Sequence, residues 1–545
     1  MAPQPAIGER AKRLTLVASI LGSAIVFVDG TVVNVALPAI RSDLHSGLAT
    51  QQWVIEAYLL MLGSLILIGG SLSDLYGRRR VFTIGVAAFG VTSIVCAVAP
   101  NAELLIAARA LQGGAGALLV PSTLAVIVDT FDENERGAAI GSWTAWGGVA
   151  GLVGPFLGGV LIQVWSWRLV FAISLVPVVV TLYLIRRYVP EHLDRTVHRH
   201  VDLPGAVLCA LGLAGVVLAL IEQPTHGWGD ALVLLPLLAG LACLGLFVAQ
   251  ERRSPDPMLP LSLFRRRNFA VGNLATLSIY AGIGAATFFL PVYLQQIAGY
   301  TPIAAGLSLL PVTLAVFLLS RRFGALADRL GPRPFMAIGP VVAGAGLMLL
   351  IRLGLHAPYA TTVFPAMLVF GLGLSITVAP LTAAVLAGVD EEHAGIASGV
   401  NNAVARVASL LAIGAVGAVV SAQFGSTLDS SLADKPLSPA ATAAVHQAKS
   451  RPIALDSARR LHGPERAIVT RAAEHASVDA FRAGILGAAL LAILGGLVSA
   501  VGIENPRRRV EAQECPGGAI VGASRDLARV PGARQPAAIP AAGHG

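Results

Sequence analysis

The chain has 545 residues, of which 55% are hydrophobic and 13% charged, whereas a soluble globular protein carries about 25% charged residues. That balance excludes an ordinary water-soluble enzyme or binding domain and makes lipid the solvent. The formal net charge of +8 raises the question of nucleic-acid binding. The basic residues, however, sit in short loops between apolar runs, which is a topology signal and not a phosphate-binding face, so no nucleic acid is expected as a partner.

Apolar runs of about 20 residues, the length that crosses a bilayer, recur along the chain. They predict about fourteen spanning helices, over 15–37, 52–73, 81–99, 104–128, 137–162, 168–188, 204–222, 231–250, 269–291, 303–320, 334–353, 361–387, 395–422 and 481–503. The first run follows Arg10, Lys12 and Arg13. It is too long for a signal peptide and lacks a small-residue cleavage site, so it reads as the first spanner. Lys and Arg concentrate in alternate loops, including Arg78 to Arg80, Arg186, Arg187, Arg252, Arg253, Arg321 and Arg322. The positive-inside rule then puts those loops and both termini in the cytoplasm and requires an even number of spanners in the inner membrane.

The fold class expected is an all-α polytopic membrane protein. Residues 1–14 form a cytoplasmic N-terminus, 15–188 a six-helix bundle, 189–268 a linker holding two extra helices, and 269–503 a second six-helix bundle. A polar stretch over 423–480 is expected outside, with a small helical hairpin around Ser438 to Lys449, and 504–545 reads as a disordered cytoplasmic tail. Cys96, Cys209, Cys243 and Cys515 have no paired spacing, so neither a disulfide framework nor a metal site is indicated. No phosphate-binding glycine loop of the ATPase type occurs. No cofactor and no catalytic residue are expected, and an ion gradient is the energy source.

One segment is duplicated. Gly70-Ser-Leu-Ser-Asp74-Leu-Tyr-Gly77-Arg78-Arg79-Arg80 follows the second predicted helix, and Gly324-Ala-Leu-Ala-Asp328-Arg329-Leu-Gly331-Pro-Arg333 follows the tenth. The glycines allow a tight turn, and two copies at equivalent places imply two related bundles. The segment resembles the loop signature of the major facilitator superfamily, with Leu75 where the first copy usually has Arg. Asp29-Gly-Thr31-Val-Val-Asn34-Val-Ala-Leu-Pro38 resembles the first-helix signature of the fourteen-spanner drug:proton antiporter family. Trp165-Ser-Trp167-Arg168-Leu-Val-Phe171 resembles its sixth helix, except that Ser174 stands in place of Asn, and Leu290-Pro-Val-Tyr293-Leu-Gln295-Gln296 its ninth. The resemblance covers about residues 15 to 420 and implies a major facilitator fold whose six-plus-six core is split by the two extra helices.

Ionisable side chains inside spanners are costly unless paired or hydrated, which makes Asp29, Glu56 and Arg109 functional candidates. All three fall one to two turns below the outer surface, placed to face one cavity. Asp29 is the candidate coupling carboxylate, since carboxyl groups in low-dielectric clefts can exchange protons near neutrality. Its plainer reading is a carboxylate held permanently between helices. Arg109 opens a face continued by Gln112, Gly113 and Gly116, which resembles the superfamily's fourth-helix signature associated with proton transfer; otherwise it is a buried structural pair. Glu56 is a proton or cation site, or a side chain reaching interfacial water.

Gly147, Gly151, Gly154, Pro155 and Gly158 leave one face of helix five without side chains. Gly154-Pro155-Phe-Leu-Gly158-Gly159 resembles the antiporter signature that marks exporters, with Ala150 at its first glycine, while generic small-residue packing accounts for the glycines alone. Candidate cavity-lining residues are Asn34, Tyr58, Gln112, Asn273, Tyr280, Gln295, Asn402 and Arg406. Asn401 belongs with Asn402, and packing is the alternative for this set. Asp74, Arg78, Arg79, Asp328, Arg329 and Arg333 form an expected cytoplasmic gate, or else a solvated topology signal. The reading is a monomeric, proton-coupled exporter of small lipophilic organic molecules. A carrier of the same fold working in uptake, and a non-transporting membrane sensor, are the alternatives.

Overall fold

In the computed structural model the described residues are 8–190, 202–255, 257–386, 391–449 and 464–505. Their regular structure is helical, with no strand among the described residues. The helices run α1 (Glu9–Asp43), α2 (Leu48–Tyr76), α3 (Arg78–Val98), α4 (Ala102–Thr130), α5 (Glu133–Val164), α6 (Arg168–Ala172) and α7 (Leu175–Tyr188), the last two forming one span. The inserted pair is α8 (Leu203–His226) and α9 (Ala231–Arg253). The second half holds α10 (Arg267–Gln296), α11 (Pro302–Ser308) continuing as α12 (Leu310–Leu330), α13 (Arg333–Leu349), α14 (Phe364–Leu386), α15 (Glu391–Leu432), α16 (Pro439–Lys449) and α17 (Pro464–Gly502).

Among the described residues, twelve helices are long and apolar enough to cross a membrane. The long helices α2 and α5 are additional to these twelve, against an expectation of about fourteen spans. Backbone groups have no water to bond in lipid, so spans that satisfy every N–H and C=O internally are the form such apolar runs take. The first half packs α1 against α5, α4 and α7, and α2 against α4. The second packs α10 against α17 and α15, and α13 against α14 and α17. The inserted helices pair with each other, and α8 also rests on α2 and α15, one helix from each half.

The duplicated segment forms the same turn twice. Gly77 ends α2 at φ 93° and Gly331 ends α12 at φ 85°, in the left-handed region that only glycine enters freely. Within the polar stretch expected over 423–480, α15 continues to Leu432 and α17 already begins at Pro464. Backbone hydrogen bonding does not stop at the lipid boundary, so polar residues extend a helix that apolar ones began. The expected hairpin helix is present as α16, and Glu465 accepts hydrogen bonds from the Ser438 amide and hydroxyl at 2.8 and 2.7 Å. The tail expected over 504–545 lies outside the described residues beyond Asn505, as do linker residues 191–201.

Candidate transport site

Asp29 and Arg109 form a buried ion pair. Asp29 is 3% exposed and Arg109 is fully enclosed, and Arg109 Nη1 donates to Asp29 Oδ2 at 2.6 Å. The pairing requires α1, α2 and α4 to approach closely. A side chain on Gly113 would place its Cβ 2.2 Å from the Tyr58 carbonyl oxygen, so glycine at that position sets the α2–α4 distance. The guanidinium is clamped further: Nε donates to the Val54 carbonyl at 2.9 Å, Nη1 donates to Gln112 Oε1 at 2.7 Å, and the Tyr58 ring stacks 4.1 Å below it. A cation against an aromatic face in a dry site gains electrostatic stabilisation beyond the pair itself.

The pair is one end of a polar chain. Gln112 Nε2 donates to Asp29 Oδ1 at 3.3 Å and to Ser93 Oγ at 2.9 Å, and Ser174 Oγ donates to Ser93 Oγ at 3.0 Å. Asp29 is thereby tied through α4 and α3 to the sixth span. Ser93 carries no charge and belongs to no motif, so sequence reading passes over it, while Ser174 is visible only as a departure from a signature. The opening of that sixth span also pins the end of α1: Trp167 Nε1 and Arg168 Nη1 both donate to Asp43 Oδ2, at 3.0 and 2.6 Å.

A cavity of about 280 Å³ lies in the second half against α1. Tyr280, Asn401, Asn402 and Arg406 line it. Phe27, Thr382 and Ser409 also line it and carry no sequence signal. Two hydrogen bonds shape its wall: Thr276 Oγ1 donates to Asn401 Oδ1 at 2.7 Å, and Ser409 Oγ donates to the Tyr280 carbonyl at 3.1 Å. The remaining expected lining residues go elsewhere. Tyr58 and Gln112 belong to the Arg109 network, and buried Asn273 donates to Phe269 within its own helix at 2.9 Å. Asn34 is half-buried on α1. Glu56 Oε1 lies 3.6 Å from the Cβ position of Gly414 on α15, beside Leu220 of α8, and makes no hydrogen bond to the Asp29–Arg109 pair.

Towards the face opposite the N-terminus the two halves meet in a seam. Gln295 Nε2 donates to the Val35 carbonyl at 3.0 Å, Arg41 Nη1 donates to Gln296 Oε1 at 2.6 Å, and Gln52 Nε2 donates to the Ile413 carbonyl at 2.9 Å. The glycines of α5 work on both sides of it. A Cβ on Gly154 would meet Thr31 Oγ1 at 2.1 Å and one on Gly158 would meet Val32 at 2.8 Å, both on α1. One on Gly159 would meet Ile303 at 2.7 Å, and one on Gly306 would meet the Pro155 carbonyl at 2.3 Å, both across the seam. Gly147 lies against Phe27, and Gly151 faces open space. The Pro155 carbonyl is thus the atom that a side chain on Gly306 would strike.

At the opposite end, Arg78 pairs with Asp129 and donates to the Ala125 carbonyl, Arg79 donates to the Arg186 carbonyl at 3.1 Å, and Arg333 donates to the Ala500 carbonyl at 2.8 Å. Each of these contacts stays inside one half. Arg329 is exposed. The side chains of Asp74 and Asp328 lie outside the described residues.

Comparison with known proteins agrees with this architecture. The Major Facilitator Superfamily profile matches residues 19–413. The chain is 34% identical to the multidrug resistance protein Stp of Mycobacterium tuberculosis over 77% of its own length and 78% of that protein. It is 37% identical to a puromycin resistance protein of Streptomyces alboniger, over 78% and 84% of the two chains. It is 34% identical to a probable actinorhodin transporter of Streptomyces coelicolor, over 78% and 75%. Among solved structures, a bacterial homolog of the human lysosomal transporter Spinster, in an inward-facing and unoccupied conformation, superposes with a TM-score of 0.63 at 14% identity, covering 92% of this chain and 100% of that one. A POT family transporter superposes with a TM-score of 0.61 at 13% identity, covering 91% and 97%. Two bundles around a polar cavity, the inserted helix pair and these matches together establish that the chain is a multi-pass membrane transporter, not an enzyme, and belongs to the drug:proton antiporter family of the Major Facilitator Superfamily.

Proposed function

We propose that the chain exports small lipophilic organic molecules from the cytoplasm in exchange for protons, by alternating access, as a monomer in the cell membrane with both termini inside. The observation that carries this reading is the buried Asp29–Arg109 pair. It is a carboxylate whose charge is compensated by a fixed guanidinium, linked through Gln112 and Ser93 to the sixth span. Arg109 does not itself release a proton; it sets the energy and direction of the carboxylate. Protonation of Asp29 breaks the pair and substrate loading favours its return, so proton and substrate compete for one conformational balance. The resistance and export roles in the names of the relatives support the outward direction.

The basic loops assign the N-terminal face to the cytoplasm. The cavity at Tyr280, Asn402 and Arg406 then belongs to the inner half and the seam at Gln52, Gln295 and Gln296 to the outer half. Arg78, Arg79 and Arg333, each with a contact in its own half, stand where an inner gate opens and closes as the halves exchange states. Reconstituted vesicles loaded by a pH gradient provide the test, with ethidium as probe. Wild type accumulates ethidium and dissipates the gradient in proportion. Asp29→Asn, purified as a monodisperse protein, is expected to bind ethidium but lose gradient-driven accumulation. Undiminished proton-driven accumulation in that variant refutes the reading.

A further inference from the structure

We propose that Glu56 is a second proton site, separate from the Asp29–Arg109 pair, which takes up its own proton when the two halves close over it. Glu56 is fully enclosed, and neither of its carboxyl oxygens has a hydrogen-bond partner. Its surroundings come from three parts of the molecule. It projects from α2 of the first half, its Oε1 lies 3.6 Å from the Cβ position of Gly414 on α15, and Leu220 of α8 approaches that same position at 3.3 Å. One turn earlier on α2, Gln52 makes the seam hydrogen bond to Ile413. Glu56 therefore sits where the first half, the second half and the inserted pair meet, and it is covered only while the seam is shut.

The charged and titratable groups around this junction lie against other neighbours. Arg109 is held by Asp29, Gln112 and the Val54 carbonyl, and Tyr58 lies beneath its guanidinium. Arg406, about two turns along α15 from Gly414, lines the cavity. On α8, Glu222 and His226 approach each other at 3.5 Å. None of them bonds to Glu56. A bare carboxylate without a partner is strongly disfavoured in such a place, while the neutral acid is tolerated. Asp29 is in the opposite situation, because Arg109 compensates its charge at 2.6 Å. With the seam closed, Asp29 is the ionised half of a neutral pair and Glu56 is a carboxylic acid. Parting the seam hydrates Glu56 and lets it ionise. Closing the seam transfers one proton from outer water to the carboxylate oxygen, with no other reactant.

The place of this step in the cycle rests on the alternating-access reading above, but its test does not. Infrared spectra of the purified full-length chain near neutral pH, with and without ¹³C-labelled glutamate, report neutral glutamic acid by the isotope shift of its C=O stretch. A shifted band is expected in wild type and in Asp29→Asn, and its loss is expected in Glu56→Gln. Glu251 is the other described glutamate that is buried with an unpartnered oxygen, so Glu251→Gln is the control. Absence of the band in wild type, or a band removed by Glu251→Gln but retained in Glu56→Gln, overturns the proposal. Should Glu56→Gln fail to fold, the Glu251→Gln spectrum decides: a retained band supports Glu56 and a lost band refutes it. Failure of ethidium accumulation to depend on Asp29 would refute the earlier reading and leave this result standing.

Discussion

Asp29 and Arg109 illustrate how strongly a buried charge depends on its partner. Removing one member leaves an uncompensated charge in a dry site, at a cost of about 3–5 kcal/mol. Arg109→Gln is therefore expected to lower stability by that order, and Asp29→Asn/Arg109→Gln by clearly less than the two single changes combined. Thermal unfolding of the four proteins in detergent checks this. Strict additivity would mean that the pair contributes nothing as a pair. The same cycle separates instability from lost coupling: the double variant is expected to fold well yet show no proton-driven transport. Asp29 and Arg109 stand out in the sequence because charge inside an apolar run is conspicuous. Ser93, which completes the polar chain, does not, since a hydroxyl in a helix is more often bonded to its own backbone, as Ser122 is to Leu118.

Helices approach closely in this molecule where glycine removes the side chain. In lipid there is no hydrophobic gain from pairing helices, so close packing of small residues is a main source of attraction. The α2–α4 contact is the sharpest case, with Gly113 facing the Tyr58 carbonyl and Gly69 placing its Cβ position 2.1 Å from the Ala117 carbonyl. Gly113→Leu is expected to force α2 from α4, break the Arg109 bond to Val54, and destabilise the first half by about 1–3 kcal/mol. The expected readout is a lowered unfolding temperature together with lost proton coupling. Gly151→Ala serves as the comparison, because it meets nothing within 4 Å and is expected to behave as wild type. Equal effects of the two substitutions would refute the packing argument.

For the molecule as a whole, the seam and the cavity define one of two states that an alternating-access carrier visits. Ser409→Cys, at the cavity wall, is expected to react with a membrane-impermeant maleimide from the inner side of oriented vesicles. Gln52→Cys, 3% exposed in the wild-type seam, is expected to be protected from the outer side. A ligand or pH change that opens the seam should reverse both rates together, and independent changes would argue against a two-state exchange. The inserted pair belongs to this scale too. By resting on both α2 and α15, α8 is placed to respond when the halves part.

The sequence by itself determined the class of molecule, the approximate number of spans and the duplicated turn. These follow from local physics: apolar length, loop charge, and glycine at positions of positive φ. It also singled out Asp29 and Arg109, because a charge within an apolar run is costly wherever its partner lies. Only the tertiary structure decided which of the isolated charges meet. Asp29 and Arg109 are eighty residues apart in the chain yet 2.6 Å apart in space, while Glu56, expected in the same cavity, turns to the junction of three helices from different parts of the chain. Helical spacing fixes the face a side chain occupies on its own helix. The neighbour that covers that face depends on packing between helices, and close approaches such as Gly154 to Thr31 and Gly159 to Ile303 set that packing here.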